Sequence, residues 1–261
     1  MAPPRRSCRR RLPTVLFAVL VVSATSAARS EPCDAGVFSA LGERLHVPRL
    51  ASGEAVASHD CKAAPDDPRV TLAVVTWDNG HTQDYSKGFV VAEVDEAAGR
   101  VLADLAGETS ADGSTPLGSG VHIDTAPYLL APGVRAFGVD LVQYVPRCAD
   151  GGAEQERTLY VREGRRLRPV LLDQPMSGGW IVDGGCGDSE VKQRFDVTIA
   201  ISPHTSHGWH DLAVTTAFSL SSGEPSARRA EHARVAYDGH AYAVVRVEPP
   251  EGMADATAAK P

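Results

Sequence analysis

The stretch RFDVTIAIS (residues 194–202) alternates large apolar side chains with polar or small ones. Successive side chains of a β-strand point to opposite faces, so this period of two predicts a half-buried strand. Its apolar face would consist of Phe195, Val197, Ile199 and Ile201. The same period recurs at residues 137–141 and 212–218. The chain is therefore predicted to be built mainly from β-strands.

Turn sequences separate the predicted strands and indicate antiparallel hairpins. Asn79-Gly80 suits a two-residue type I′ turn, and Pro132-Gly133 suits a type II turn. Two further segments, YVREG (160–164) and VAYDG (235–239), each combine a strand with an acidic-glycine turn. From Val70 onward the pattern indicates about ten strands in an antiparallel meander. We expect an all-β fold, either a two-sheet sandwich or a partly closed barrel.

A short helix is predicted near the start of this β-rich region, over residues 34–45. Val37, Leu41 and Leu45 recur there at helical spacing. No regular alternation of helices and strands follows, which excludes a parallel βαβ architecture.

The first 28 residues have the features of a secretory signal peptide. Five arginines precede an apolar run from Val15 to Val22, and a stretch of small residues follows. That run is too short to span a bilayer, and no later segment is apolar enough to do so. We expect export, and the abundance of Ala, Arg, Gly and Val favours a bacterial periplasm. The remainder would form one disulfide-stapled β domain (residues 29–248) with a disordered tail (residues 249–261).

The net charge of the chain argues against some classes of binding partner. The net charge is −7, and cleavage after Ala28 would change it to −12 by removing five arginines and no acidic residue. An acidic surface repels phosphate backbones and anionic lipids. Nucleic acid and anionic membranes are therefore not expected partners, and the mature chain is expected to carry no transmembrane segment.

Four cysteines remain after the predicted cleavage, namely Cys33, Cys61, Cys148 and Cys186. An even number of cysteines in an exported chain indicates disulfides rather than free thiols. Three connectivities are open, and we expect pairing in sequence order, Cys33–Cys61 and Cys148–Cys186, because short loops close most readily. A zinc site is the alternative, but the sequence contains no Cys-x-x-Cys spacing.

Several strings resemble an uncharacterised family of exported proteobacterial proteins of unknown function. They are CK (61–62) with Pro65 and Pro68, IDTAPY (123–128), LAPGVRAFG (130–138), LYVREG (159–164), LRPVL (167–171) and GWHDL (208–212). The resemblance covers most of the mature chain. It implies a single exported domain, and it implies no activity.

The densest group of metal-ligating residue types lies at HTSHGWHD (residues 204–211). His204, His207, His210 and Asp211 could together offer imidazole nitrogens and a carboxylate to zinc or copper. They would converge only if the segment coiled into a turn. The alternative is a solvated hairpin loop that happens to contain histidines.

An acidic group offers a second candidate metal site. If Cys148 pairs with Cys186, the chain brings together several acidic residues among glycines, namely Asp150, Asp183, Asp188 and Glu190. Oxygen-rich loops of this kind can bind calcium, although the spacing matches no EF-hand. The alternative is that Asp and Gly simply form turns beside a disulfide.

Other catalytic patterns give no support for an enzyme. Asp124-Thr125-Ala126 is interpreted as a turn, because the Gly that an aspartic-protease loop requires is replaced by Ala. The sequence contains no Gly-x-Ser-x-Gly elbow and no Walker or Rossmann string, so no nucleotide cofactor is implied. Six aromatic residues could either line a binding face or fill the core: Trp77, Trp180, Trp209, Tyr128, Tyr144 and Tyr237.

The sequence thus favours a non-catalytic periplasmic binding or envelope-associated protein. Its partner would be an envelope protein or a glycan, and it would need no cofactor. The alternative is a metal-binding protein or metal-dependent hydrolase that uses the His204–His210 loop. Zinc, copper or calcium would be present only in that alternative or at the acidic loops.

Overall fold

A computed structural model describes residues 33–80, 87–109, 120–143, 151–183, 191–220 and 229–248. The predicted signal peptide (residues 1–28), the predicted tail (249–261) and the cysteines Cys148 and Cys186 lie outside these ranges. Within them the chain is mainly β-strand with two short helices, so the predictions of an all-β fold and of an N-terminal helix are confirmed.

The described residues form two helices and eleven strands. The helices are α1 (Ala35–Leu45) and α2 (Pro48–Ala51). The strands are β1 (Val56–Ala64), β2 (Asp67–Trp77), β3 (Lys87–Asp95), β4 (Arg100–Thr109), β5 (Gly120–Ala131), β6 (Val134–Val142), β7 (Gly151–Glu163), β8 (Arg166–Asp183), β9 (Val191–Ser206), β10 (Trp209–Leu220) and β11 (Arg229–Val235). Neither of these two helices is long and apolar enough to cross a membrane.

Two consecutive four-strand meanders make up a nearly closed barrel. The first meander is β1–β4 and the second is β5–β8, and the strand order around the barrel is β1-β2-β3-β4-β8-β7-β6-β5. Pairing is antiparallel within each meander, whereas β4 and β8 run parallel where they meet at Asp104 and Arg166. β4 and β8 are each the last strand of a four-strand meander, so they run in the same direction. This junction therefore departs from a purely antiparallel meander.

Side chains of β1 hold the other junction of the barrel, where β1 meets β5. The backbone N–H of Val121 donates to Ser58 Oγ at 3.2 Å, and the N–H of Ile123 donates to Asp60 Oδ2 at 2.7 Å. Lys62 Nζ donates to the Ile123 carbonyl at 2.5 Å. Because alternate side chains of a strand share a face, these three side chains of β1 line up along the edge of β5. They satisfy backbone groups of β5 that a neighbouring strand would otherwise pair.

Three apolar cores follow from this arrangement, one inside the barrel and two on its outer surface. In β2 the adjacent residues Val74 and Val75 are both fully buried. Val74 points into the barrel interior, whereas Val75 packs beneath the helices with Leu41 of α1 and Trp77. Burial on both faces explains why residues 72–75 of β2 form a continuous apolar run rather than alternating.

The third core lies between the barrel wall and β9–β11, which extend the same sheet beyond the barrel. The second half of β8 extends beyond the barrel and pairs with β9. In turn, β9 pairs with β10, and β10 pairs with β11. Phe195 and Val197 of β9 pack on barrel residues that include Leu159 and Leu171. The apolar face predicted from RFDVTIAIS is therefore the face that covers this core.

The predicted disulfide between Cys33 and Cys61 is confirmed, with a Cα–Cα distance of 5.1 Å. It joins the residue before the N-cap of α1 to the buried middle of β1, across 28 residues of sequence. Closing a loop of this length stabilises the fold by about 3–4 kcal/mol in the chain-entropy model. The bond fixes the helical segment against the outer face of β2 and β3.

The C-terminal segment 241–248 runs beside β8 and is held there by a buried side chain. Gln174, which is fully buried, accepts a hydrogen bond from the N–H of Val245 at 2.8 Å and donates to its carbonyl at 3.0 Å. The N–H of Tyr242 donates to the Val170 carbonyl at 2.7 Å. The amide group of Gln174 thus takes the place of a backbone partner in a strand ladder.

The turn predictions have mixed outcomes. Pro132-Gly133 connects β5 to β6 directly, and Gly133 has the positive φ of +75° that a type II turn requires. The Asn79-Gly80 prediction was wrong as a two-residue hairpin, because β2 ends at Trp77 and β3 begins at Lys87. The two-residue turn with two positive φ angles occurs instead at His207-Gly208, between β9 and β10.

Candidate functional site

A cavity of about 230 Å³ opens at the end of the barrel next to the β1–β2 turn. We call this opening the mouth. Its floor is apolar and is formed by Val70, Leu72 and Phe137. Leu72 and Phe137 belong to the interior core of the barrel, so the mouth is the place where that core meets solvent. Cavities with an apolar floor and a few polar groups are the usual form of a ligand site.

Two ion pairs stand on the wall of the mouth. Arg162 Nη1 lies 2.9 Å from Glu93 Oε2, and Arg135 Nη1 lies 3.2 Å from Asp66 Oδ1. Both carboxylates come from the first meander, and both guanidinium groups come from the second. The acidic wall of the mouth therefore comes from the first meander and the basic wall from the second, and the two walls touch at these ion pairs.

Backbone carbonyls hold each guanidinium group in place. Arg162 Nε donates to the Gly164 carbonyl at 2.9 Å, and Arg135 Nη2 donates to the Thr125 carbonyl at 3.2 Å. A guanidinium group has five N–H donors, and these contacts together with the ion pairs use two per arginine. Each arginine therefore presents further donors from a fixed position.

Burial changes the pKa of Glu93, one of the two carboxylates of the acidic wall. The side chain of Glu93 is 14% exposed, whereas that of its partner Arg162 is 44% exposed. Loss of solvation raises the pKa of Glu93 above its ordinary value, and the opposing effect of Arg162 only partly offsets this rise. A further positive charge placed at the mouth would therefore stabilise the ionised carboxylate.

A second cluster of charges lies on the barrel wall and is internally paired. Arg157 forms two hydrogen bonds with Asp140, and it also contacts Asp124 and the hydroxyl of Tyr128. Gly138 makes room for it, because a Cβ there would lie 3.1 Å from Arg157 Cδ. Burial raises the pKa of Tyr128, which keeps its hydroxyl protonated as a donor to Asp124. The cluster has the character of a structural network.

The prediction of a turn at a strand end for Asp124-Thr125-Ala126 was wrong in its position, because these residues lie within β5, at a shift in its register with β6. The N–H of Ala126 donates to Asp124 Oδ1 at 3.0 Å, which is the hydrogen bond of an Asx turn.

The candidate metal ligands of the β9–β10 hairpin have separate surroundings. His204 and His207 are exposed, and His207 occupies the turn itself. His210 Nδ1 lies 3.0 Å from the Ser202 carbonyl. Asp211 is buried, and its Oδ2 lies 3.8 Å from Arg234 Nε. Within the described ranges the structure places no three His, Cys, Asp or Glu residues where they could hold one metal ion. The metal hypothesis stays a prediction.

The predicted calcium ligands fall almost entirely outside the description. Asp150, Asp188 and Glu190 lie outside the described residues, and only the backbone of Asp183 is described, where it ends β8 opposite Val191. The calcium hypothesis and the Cys148–Cys186 pairing stay predictions.

Two of the candidate tryptophans, Trp180 and Trp209, pack on neighbouring aromatic rings. The ring of Trp209 stacks on Tyr237 at a centroid distance of 4.3 Å and an angle of 6°. Trp180 packs on Phe195 at 5.2 Å. These contacts favour the core-filling interpretation for both tryptophans. Tyr144 lies outside the described residues.

The residues of the mouth were not among the candidates derived from the sequence. A signal for them exists in the strand period: Glu93 follows Val91, Arg162 follows Tyr160, and Arg135 precedes Phe137 by two positions. A charged residue that continues an inward-facing apolar series near a turn indicates the polar end of a barrel interior.

Comparison with known proteins finds no match to the chain among family models, curated proteins or solved structures.

Proposed function

We propose that this chain is a non-catalytic binding protein of the bacterial periplasm that recognises its partner at the mouth. The observation that carries the proposal is the cavity itself, which combines an apolar floor with an acidic and a basic wall. Its lining consists of carboxylates, guanidinium groups and aliphatic or aromatic side chains. Such groups hold and orient a ligand.

The proposal of export rests on the predicted signal peptide, on the resemblance to exported proteins and on the disulfide. A bond between Cys33 and Cys61 would form and persist in an oxidising compartment such as the periplasm. The proposal therefore has three linked parts, namely a periplasmic location, a relationship to an exported family and a single mature domain.

Between the two expected partner classes, the mouth favours a protein or peptide over a glycan. Guanidinium and carboxylate groups gain most from charged partners, which peptides carry at their ends and side chains. Neutral glycans are usually bound against open aromatic faces, but Trp180 and Trp209 are packed on neighbouring rings. We therefore propose a peptide-type ligand, taken from an envelope protein or from free peptides.

A titration followed by NMR tests the proposal on the mature, oxidised chain. The probes are amino acids and dipeptides of varied side chain, together with neutral oligosaccharides. We expect the amino acids or dipeptides to shift amide signals of Asp66, Glu93 and Arg162. Arg162→Ala should abolish those shifts. Shifts confined to other regions, or produced by oligosaccharides alone, would contradict the proposal.

Arg194→Ala is the matched control for this experiment. Arg194 also forms an ion pair on a strand, with Glu154 at 3.0 Å, and its side chain is 51% exposed. It therefore resembles Arg162 in exposure and pairing but lies on β9, outside the mouth. We expect this variant to keep the full response of the unmodified chain.

A further inference from the structure

We infer that the ligand of the mouth is a small amphiphilic zwitterion, namely an α-amino acid with a branched aliphatic side chain. Its carboxylate would lie on Arg162 and Arg135, and its ammonium group on Glu93 and Asp66. The side chain would lie on the apolar floor. This inference rests on the proposed function and specifies its ligand.

The separation of charges in the mouth carries the inference. Glu93 and Asp66 belong to the first meander, and Arg162 and Arg135 belong to the second, so the two signs of charge come from different walls that touch at the two ion pairs. A simple anion would bind the basic wall and face the acidic one, and a simple cation would meet the reverse problem. A molecule with both charges can satisfy both walls at once.

The partial burial of the acidic wall adds to this argument. Glu93 is largely buried, and its described polar contact is the single bond from Arg162 Nη1. An ammonium group beside Glu93 would supply a second, charge-assisted hydrogen bond to a carboxylate that has lost most of its water. The ligand would thereby stabilise the ionised form of Glu93.

The size of the cavity limits the ligand to about one residue. A volume of about 230 Å³ is below the range of about 300–1,000 Å³ that accommodates drug-sized molecules. The floor of Val70, Leu72 and Phe137 offers aliphatic and aromatic contact but no described charge. A branched aliphatic side chain matches this floor, whereas a long or charged side chain does not.

Three probes of nearly equal shape separate the two charges. They are L-leucine, 3-methylbutylamine, which lacks the carboxylate, and 4-methylpentanoic acid, which lacks the ammonium group. Isothermal calorimetry on the mature, oxidised chain should show that leucine binds at least about tenfold more tightly than either analogue. An analogue that binds as tightly as leucine would overturn the inference.

Leucine and the dipeptides together distinguish this inference from the proposed function. If dipeptides shift the signals of the mouth and leucine does not, the inference of an α-amino acid ligand fails and the proposed binding function stands. If no amino acid or dipeptide shifts those signals, both fail.

Two variants give opposite expected patterns that misfolding cannot produce. Arg162→Gln should weaken leucine and leave the amine unchanged or tighter, because it removes a cation from the mouth. Glu93→Gln should weaken leucine and leave the acid unchanged or tighter. Arg194→Gln, whose ion pair lies on β9, should match the unmodified chain. Equal losses for all three probes in both mouth variants would overturn the assignment of the two walls.

Discussion

Arg157 and Asp140 lie opposite each other on β7 and β6 and are joined by two parallel hydrogen bonds, Nε to Oδ1 at 2.6 Å and Nη2 to Oδ2 at 2.7 Å. Both side chains are nearly buried, with exposed fractions of 12% and 6%. A buried arginine that loses its carboxylate retains a positive charge without full compensation. The pair is therefore a place where one substitution should cost much of the stability of the fold.

Asp140→Ala should lower the free energy of unfolding by about 3–5 kcal/mol, because it leaves the buried Arg157 partly unpaired. Urea denaturation at neutral pH measures this change. Glu154→Ala is the control, since its ion pair with Arg194 is exposed and should contribute little. A loss for Asp140→Ala no larger than that of the control would show that Arg157 is not held as the structure describes.

The period of two predicted many of the strands, because the alternation of apolar residues such as Phe195 and Val197 is a local property of the sequence. It did not predict how the sheet closes. Val74 and Val75 are both buried because one faces the interior and the other faces α1, and a continuous apolar run does not specify those partners. The closure of the barrel depends on which distant strands meet, and no local pattern encodes it.

The candidate site illustrates the same limit. Arg162 and Glu93 are separated by 69 positions, and they meet only because β7 and β3 reach the same end of the barrel. The histidines of the β9–β10 hairpin are predicted as metal ligands because they are close in sequence. Closeness in sequence does not bring side chains together, since residues on a hairpin point to both faces.

The junction between β1 and β5 should depend on Asp60. Asp60→Ala would leave the buried N–H of Ile123 without its acceptor, at a cost of about 1–3 kcal/mol. Hydrogen exchange followed by NMR should show faster exchange of the Ile123 amide in this variant. The amide of Val139, which lies on the neighbouring strand β6, should be much less affected. Unchanged protection of Ile123 would exclude Asp60 as the group that holds the junction.

The C-terminal segment should detach when Gln174 is replaced. Gln174→Leu keeps a buried side chain of similar size but removes both hydrogen bonds to Val245. Arg246 follows Val245 in the sequence. Because a detached segment is accessible to protease, trypsin should cleave after Arg246 faster in this variant than in the unmodified chain. Gln174→Glu retains the acceptor for the Val245 N–H and should give an intermediate rate. Equal cleavage rates in all three chains would show that Gln174 does not hold the segment.

The disulfide should stabilise the helical segment in particular. Replacement of both Cys33 and Cys61 by Ala should lower the free energy of unfolding by about 3–4 kcal/mol, because it restores the freedom of a 28-residue loop in the unfolded chain. In this variant the exchange rates of the α1 backbone amides should increase more than those of the barrel, because the bond ties the start of α1 to β1. A larger increase in β9 and β10 than in α1 would contradict this assignment.

Glu93 should give the unfolding free energy a pH dependence opposite in sign to that of a well-paired carboxylate. Burial raises its pKa in the folded chain above the ordinary value, so the folded state binds the proton more tightly than the unfolded state does. The contribution of Glu93 is therefore most favourable at low pH, and it is lost as the pH rises from the ordinary value of 4.5 through the higher value of the folded chain. Glu93→Gln removes this loss, so the stability of the variant relative to the unmodified chain should increase between pH 4 and pH 7. Urea denaturation at both pH values measures the difference, with Glu154→Gln as the exposed control. A relative stability that falls over this interval would mean that the ion pair with Arg162 outweighs burial, and that the acidic wall has no deficit for a ligand to relieve.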